Sequence, residues 1–308
     1  MAKLRFGTGG IPLTTKNRSI EEGVKRIREL GLDAMELEFV HSVFLDEEKA
    51  ESLREVAEKE DVILTVHGSY YVNLASEDKQ KWNAGVSRIA KAAKIGSIAG
   101  AKYLTFHSGF RQGREDNVVY DLIKRGIGKI VDIVEKEELD IKITPELTGK
   151  ASQWGDLEEL IQLVKEFDHP KLGFCFDFAH KHARDGGGFN SREEFEEMLS
   201  LIEKELGKRF SENMHIHISG INYSEKGERN HLTLIGEFEN YEKNGIVLPE
   251  IEKDYDNLRK KGKIGPADME WRQLLVVLKE NDIGGVIICE SPNLEHDALL
   301  MRNYYQQI

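Results

Sequence analysis

The stretch that decides the fold runs from Val62 to Gly109: VILTVHG (62–68), then KQKWNAGVSRIAKAAKIGSIAG (79–100), then KYLTFHSG (102–109). The outer pieces are short apolar and β-branched runs that each end in a histidine followed by a small residue. The middle piece is too long for a strand and carries the apolar spacing of an amphipathic helix. Strand, crossover helix and strand in that order make a βαβ unit, whose two strands lie parallel.

Working outward, the same unit repeats along the chain. Strands are expected at Leu4–Thr8, Ala34–Phe39, Val62–His67, Tyr103–His107, Ile141–Glu146, Leu172–Asp177, Met214–Ile218 and Val286–Glu290. Helices are expected at Ser19–Leu30, Asp46–Glu60, Lys79–Gly100, Val118–Glu138, Asp156–Phe167, Ser191–Leu206 and Met269–Asn281. Eight such units predict an α/β fold, a (β/α)8 TIM barrel, in preference to an open doubly wound sheet, and 308 residues suit one domain. Ser191 and Glu194 read as a capping box, and Asp46 and Asp156 as N-caps. The polar segment at about 237–267 lacks clean periodicity and reads as an insertion between strands seven and eight with one short helix.

The formal net charge of −12 argues against a protein that coats nucleic acid nonspecifically, which needs many cations on phosphates. No run of about 18 apolar residues exists, and the N-terminal MAKLRFGTGG lacks a signal peptide's apolar stretch. A cytoplasmic monomer without membrane contact is the expectation. Cys175 and Cys289, the two cysteines, sit in apolar runs and read as core thiols rather than a disulfide.

Six of the eight strands carry a metal-ligating residue at or near the carboxyl end: His67, His107, Glu146, Asp177 with His180, His215 with His217, and Glu290. In a closed barrel these ends share one face. A lone histidine or carboxylate there is commonly a hydrogen-bonded structural residue or a cap. Gathered in one mouth, several would cost a few kcal/mol per uncompensated charge, which bound cations relieve. Imidazole with carboxylate and no thiolate suits Zn2+, with Mn2+ or Fe2+ as alternatives. His215 and His217 share a strand face, and His217, nearer the carboxyl end, is the expected ligand, His215 lining the interior or supporting it. Gly7-Thr-Gly-Gly10 reads as a tight turn, and His182, Arg184 and Asp185 before Gly186-Gly-Gly188 as a mobile loop.

In this order the residues resemble the endonuclease IV family of apurinic/apyrimidinic endonucleases, within the xylose-isomerase-like barrels. The resemblance spans about residues 5–295 and is specific at His67-Gly-Ser-Tyr-Tyr-Val-Asn-Leu74, Phe106-His-Ser-Gly109, Glu146-Leu-Thr-Gly149, Asp177-Phe-Ala-His180, His217-Ile-Ser and Glu290. It implies two or three Zn2+ ions: one on His67, His107 and Glu146, a second on Glu146, Asp177, His217 and Glu290, and a third on His180 and His231. The third site of the family adds an Asp two residues before its second His. Here that position is Arg229, with Glu228 beside it. Either Glu228 substitutes through a shifted loop or the third site is weak, and Arg229 is then free to hold a substrate phosphate. The resemblance also implies Glu146 as the catalytic residue, Tyr70 as a DNA-contacting aromatic, and damaged double-stranded DNA as the partner. Tyr70 and Tyr71 packing on the next helix is the competing expectation. The loop after strand two, Phe39-Val-His-Ser-Val-Phe44, lacks the basic residues the family places there.

The activity so implied is hydrolysis of a DNA phosphodiester at an abasic site by metal-activated water. The alternative is a sugar isomerase or epimerase of the same superfamily, with one metal on Glu146, Asp177, His217 and Glu290. The histidine pair His67 and His107 favours the nuclease, since an isomerase needs no metal there.

Overall fold

The computed structural model describes residues 3–265 and 267–308; Met1, Ala2 and Pro266, which fall in the N-terminal stretch and the polar segment read above, lie outside the described residues. Among the described residues there are ten strands: β1 (Leu4–Gly9), β2 (Ala34–Glu38), β3 (Ile63–His67), β4 (Tyr103–Phe106), β5 (Lys142–Pro145), β6 (Cys175–Asp177), β7 (Met214–Ile218), β8 (Gly220–Ser224), β9 (Gly227–Leu232) and β10 (Gly285–Cys289). Eight of them form one parallel sheet in the order β5-β4-β3-β2-β1-β10-β7-β6, while β8 and β9 pair as a separate antiparallel hairpin. The two ends of the sheet meet through the isolated parallel bridges Ile143↔Leu172 and Glu146↔Cys175, with Leu147 N–H donating to the Cys175 carbonyl at 3.0 Å. This nearly closes the barrel predicted from the repeating units.

Side chains alternate across each strand, so one face of every strand looks into the barrel and the other toward the helices. On the outer faces Leu64, Val66, Leu104, Phe106, Ile143, Ile216 and Ile287 join the main core under the helices. Burying a side chain of this size stabilises by about 1.5–3 kcal/mol. A small inner cluster of Ala34, Val286 and Ile288, packed by Ile63 and Tyr103, plugs the barrel. Gly7 sits where β1 presses on β2: a Cβ there would meet the Ala34 carbonyl oxygen at 2.1 Å. Gly7 is therefore a strand residue, and only Gly10, at φ 96°, has the backbone of a turn.

Helix starts follow the caps. Ser191 and Glu194 form a reciprocal box, as do Asp156 and Glu159, and the Asp46 side chain accepts from Lys49 N–H. The polar segment differs from its reading, because it holds two helices, Phe238–Lys243 and Glu252–Lys260, with a 3-10 turn at Pro249–Ile251. Tyr241 and Tyr255 anchor them, the first donating to Asp297 Oδ1 at 2.5 Å and the second lying 2.8 Å from His296 Nδ1. Among the described residues no helix is long and apolar enough to cross a membrane.

Candidate metal centre

Each expected ligand reaches the mouth because its strand ends there. His67 closes β3, His107 and Glu146 follow the last residues of β4 and β5, Asp177 closes β6, His217 lies on β7, and Glu290 follows β10. Asp177 is also the N-cap of a seven-residue helix, Phe178–Arg184, and accepts from His180 N–H at 2.6 Å. That first turn swings His180 over the mouth.

Three groups of ligand atoms converge, each within 4.8 Å of one another: His67, His107 and Glu146; Glu146, Asp177, His217 and Glu290; and His180, Glu228 and His231. Glu146 joins the first two. Its Oε2 lies 3.2 Å from His67 Nε2 and 3.3 Å from His107 Nε2, and its Oε1 lies 3.2 Å from His180 Nδ1 and 3.5 Å from His217 Nδ1. Backbone carbonyls hold the rings: His67 Nδ1 lies 2.9 Å from that of Gly68, His180 Nδ1 3.0 Å from that of Leu147, and His231 Nδ1 3.1 Å from that of Glu290. Such contacts fix each ring, and those of His67 and His180 leave Nε2 toward Glu146 and Glu228 respectively.

The third group resolves the Arg229 departure. In the hairpin Asn222 pairs with Asn230 but Tyr223 pairs with Glu228, so Arg229 is the extra residue of a β-bulge. A bulge shifts the alternation by one. Glu228 therefore turns inward beside His231, its Oε2 3.7 Å from His180 Nε2, while Arg229 turns out to solvent. The Glu228 N–H donates to the Gly149 carbonyl at 2.9 Å and pins the bulge to the loop after β5. The hairpin itself was not expected from the sequence.

Electrostatics follow from burial. Burial would raise the Glu146 carboxyl, yet His107, His180 and His217 hold it well below the usual range. Glu290, half-buried, is held down to about 2 by His217. Burial with Glu290 and Glu146 nearby lifts Asp177 to about 6. Burial disfavours charge on His67, but Glu146 outweighs it and raises the imidazole to about 10. Without cations, imidazole protons alone balance the carboxylates. Glu146 Oε1 and Oε2, Asp177 Oδ2 and His217 Nδ1 are buried without a hydrogen-bond partner. Each such atom costs about 1–3 kcal/mol, and divalent ions in the two groups that share Glu146 would satisfy them with N/O donors. The residues present thus fit the metals implied by the resemblance.

Other residues fall differently. Tyr70 is 54% exposed and leans on His67 and His107, with ring centroids 5.4 and 6.4 Å away. His41 stands 6.2 Å from Tyr70 and 6.1 Å from Tyr71, and Phe44 and Phe110 are exposed on neighbouring loops, so one side of the mouth has an aromatic rim. Asn73 Oδ1 accepts from Ala75 and Phe110 N–H and joins two loops. His182 and Arg184, read as part of a mobile loop, lie on the helix Phe178–Arg184. His182 is fully buried with Nε2 3.1 Å from Asp268, and Arg184 donates to the Thr148 and Lys150 carbonyls.

Two carboxylates were not anticipated. Glu36 on β2 is fully buried, with Oε1 3.0 Å from His217 Nε2 and Oε2 3.2 Å from His215 Nε2. Glu38, at the end of β2, is raised by burial to about 8. Their signal in the sequence was AMELEF, two acids spaced by two in a strand whose other face is apolar.

Residues 24–304 match the family described as xylose isomerase-like TIM barrel. The chain is 35% identical over 305 residues to an uncharacterized protein of Methanocaldococcus jannaschii, covering 99% of this chain and 98% of that one. It is 27% identical over 223 residues to the probable endonuclease 4 of Halothermothrix orenii, covering 68% and 76%. Solved structures it is similar to include a D-tagatose 3-epimerase-like protein (TM-score 0.68, 21% identity, 98% of this chain and 96% of that chain) and endonuclease IV from Thermus thermophilus (TM-score 0.66, 19% identity, 99% and 100%). At these identities the likeness is one of fold.

Proposed function

Because the chain belongs to the xylose isomerase-like TIM barrel family, we propose that it is a zinc-dependent phosphodiesterase of the endonuclease IV type, cleaving damaged double-stranded DNA at apurinic/apyrimidinic sites. The observation that carries this reading is Glu146, which turns one oxygen to His67 and His107 and the other to His180 and His217. A single-metal isomerase has no use for the His67 and His107 pair. Two or three ions, Zn2+ with Mn2+ or Fe2+ as substitutes, would be held by His67, His107, Glu146, Asp177, His180, His217, Glu228, His231 and Glu290. Bound there, they supply a polarised phosphodiester and a water of lowered pKa.

The chain's own residues do the rest. Glu146 orients the attacking water. His180 and His231 face the side from which the sugar oxygen departs. Tyr70 offers a ring face to the unpaired site in the duplex. Arg229, turned outward by the bulge, and Lys150, 3.9 Å from Glu228, stand where they can take a backbone phosphate.

A second reading, a ketose isomerase or epimerase, is favoured by Glu38. This carboxylate ends β2 beside Glu290 at the mouth, where it could shuttle a proton next to a metal held by Glu146, Asp177, His217 and Glu290. The test is cleavage of a duplex oligonucleotide bearing one abasic analogue, with and without chelator. Chelator-sensitive cleavage supports the nuclease. No cleavage with metals fully loaded overturns it, and turnover of ketose sugars is then measured.

A further inference from the structure

The mouth lies at the carboxyl ends of the strands, and their amino ends open on the opposite face of the barrel. There a cavity of about 1000 Å3 is lined by Ile63, Tyr103, Lys142 and Gly285, the first residues of β3, β4, β5 and β10. Six cationic side chains line it, Lys3, Arg5, Lys102, Lys142, Lys165 and Arg209, against three acids, Asp168, Glu205 and Glu212. In a chain of formal charge −12 this face therefore carries the opposite sign. A recess lined by one sign of charge concentrates counter-ions.

Four of the six cations already have protein partners. Lys165 pairs with Glu205, Lys3 with Asp33 at 3.7 Å, Arg5 with Asp61 at 3.1 Å and Lys102 with Asp140 at 3.8 Å. Lys142 and Arg209 differ, because no carboxylate of the described residues lies within 4.0 Å of either. Lys142 is nonetheless held in place. Its neighbour Ile143 packs in the outer core, so alternation turns Lys142 to the inside of the barrel, where it is half-buried. Gly173 leaves room for it, since a Cβ there would meet Lys142 Cε at 2.8 Å. Its Nζ then lies 5.3 Å from the ring centroid of Phe210, the residue after Arg209. Burial and the neighbouring Arg209 both push the Lys142 ammonium down. Two cations brought together without a carboxylate disfavour each other's charge, and an anion between them relieves both.

We propose that this cavity binds a phosphate dianion, free or as the head of a small phosphate ester, between Lys142 Nζ and the Arg209 guanidinium. Two cations without carboxylate partners call for two negative charges, which a phosphate carries at neutral pH and a carboxylate does not. The guanidinium offers a planar fork to two phosphate oxygens, and the ammonium adds a point charge from the other side. Tyr103, Leu172 and Phe210 give the recess apolar walls for the remainder of an ester, and Tyr103 is braced from within by His215, ring centroids 5.1 Å apart. A recess of this volume suits a small organic molecule. No step of the proposed hydrolysis uses this face, so the site stands or falls independently of that reading.

Metal ions at the mouth also attract phosphate, so the two faces must be told apart. The full-length chain is dialysed against radiolabelled inorganic phosphate at fixed ionic strength, once loaded with Zn2+ and once with chelator. Without metal the mouth presents carboxylates and repels phosphate, so phosphate retained there lies on the other face. The expected result is saturable binding of one phosphate per chain that survives chelation and is displaced by glycerol 3-phosphate. Displacement by glycerol 3-phosphate at lower concentration than by unlabelled phosphate identifies an ester as the ligand, and the reverse order identifies free phosphate. Affinity falls at least about tenfold in Lys142→Met and in Arg209→Gln, with bound metal unchanged. Should Lys142→Met fail to fold, Arg209→Gln, on an exposed side chain, carries the test alone. Absence of saturable binding overturns the proposal, as does binding that chelator abolishes or that both folded variants retain in full. Abasic-site cleavage is read separately, and its failure leaves phosphate binding by the chelated chain untouched.

Discussion

Glu228 is carried to His180 by its own backbone: its N–H donates to the Gly149 carbonyl at 2.9 Å, and its carboxylate then stands 3.7 Å from His180 Nε2. Gly149 has no room for a side chain in this arrangement. A Cβ there would meet Glu228 Cβ at 2.7 Å and His180 Cδ2 at 3.0 Å. Gly149→Ala is therefore expected to displace the bulge, lower bound metal by one ion per chain and cost about 1–3 kcal/mol of stability. Elemental analysis and a denaturant titration check both; unchanged metal content would show that the third group holds no ion.

Glu146→Gln removes the charge shared by two ligand groups without changing the side chain's shape. Activity is expected to fall at least about a hundredfold, and ion affinity by about 10–100-fold. At saturating metal the fold should persist, because Gln keeps the side chain's size and the backbone bridge of residue 146 to Cys175. Circular dichroism alongside kinetics distinguishes this from unfolding, and His107→Ala should behave alike.

Tyr70→Ala removes the exposed ring beside His67 and His107. Loss of a stacking platform of this kind costs about 1–3 kcal/mol of binding. On abasic duplex the expectation is weaker binding of roughly 5–150-fold with metal content unchanged, measured by fluorescence anisotropy in chelated and loaded protein.

His296 lies buried under the helix Glu252–Lys260, and burial pushes its imidazole down to about 4. The folded value is below the unfolded one of about 6.5, so the unfolded chain takes up the proton. Stability from this group is present above about 6.5 and is lost as pH falls through 4, reaching on the order of 2 kcal/mol by pH 5. Asp297, raised by burial to about 6, has the opposite sign, favouring the fold at low pH and ceasing to do so as pH rises through 6. Comparing wild type with His296→Gln by urea unfolding at pH 7 and pH 5 isolates the histidine, and the variant should lose less stability.

The barrel and most of the mouth were legible in the chain because both rest on one regularity. Each of His67, His107, Glu146 and Glu290 terminates an apolar run, and parallel strands bring such termini together whatever their separation in sequence. What escaped notice broke that regularity. Glu36 and Glu38 lie within a strand, where alternation hides two acids among Met35, Leu37 and Phe39. The hairpin GINYSEKGERNHL is polar on both faces and gives no period-two signal, and the bulge at Arg229 shifts the residue that faces His180 by one. The helix Phe178–Arg184 is two turns long, too short for a 3.6-residue pattern to declare itself, so His182 and Arg184 looked like loop.

The joint between β5 and β6, closed by isolated bridges at Ile143 and Glu146, is the weakest stave of the cask. Glu146 stands on one side of it, and Asp177 on the other. Ions gripped from both sides would act as hoops, so that cofactor loading and mechanical integrity become one property. Hydrogen exchange at the Leu147 and Gly173 amides should then slow sharply as metal is added, while amides between β2 and β3 hardly change.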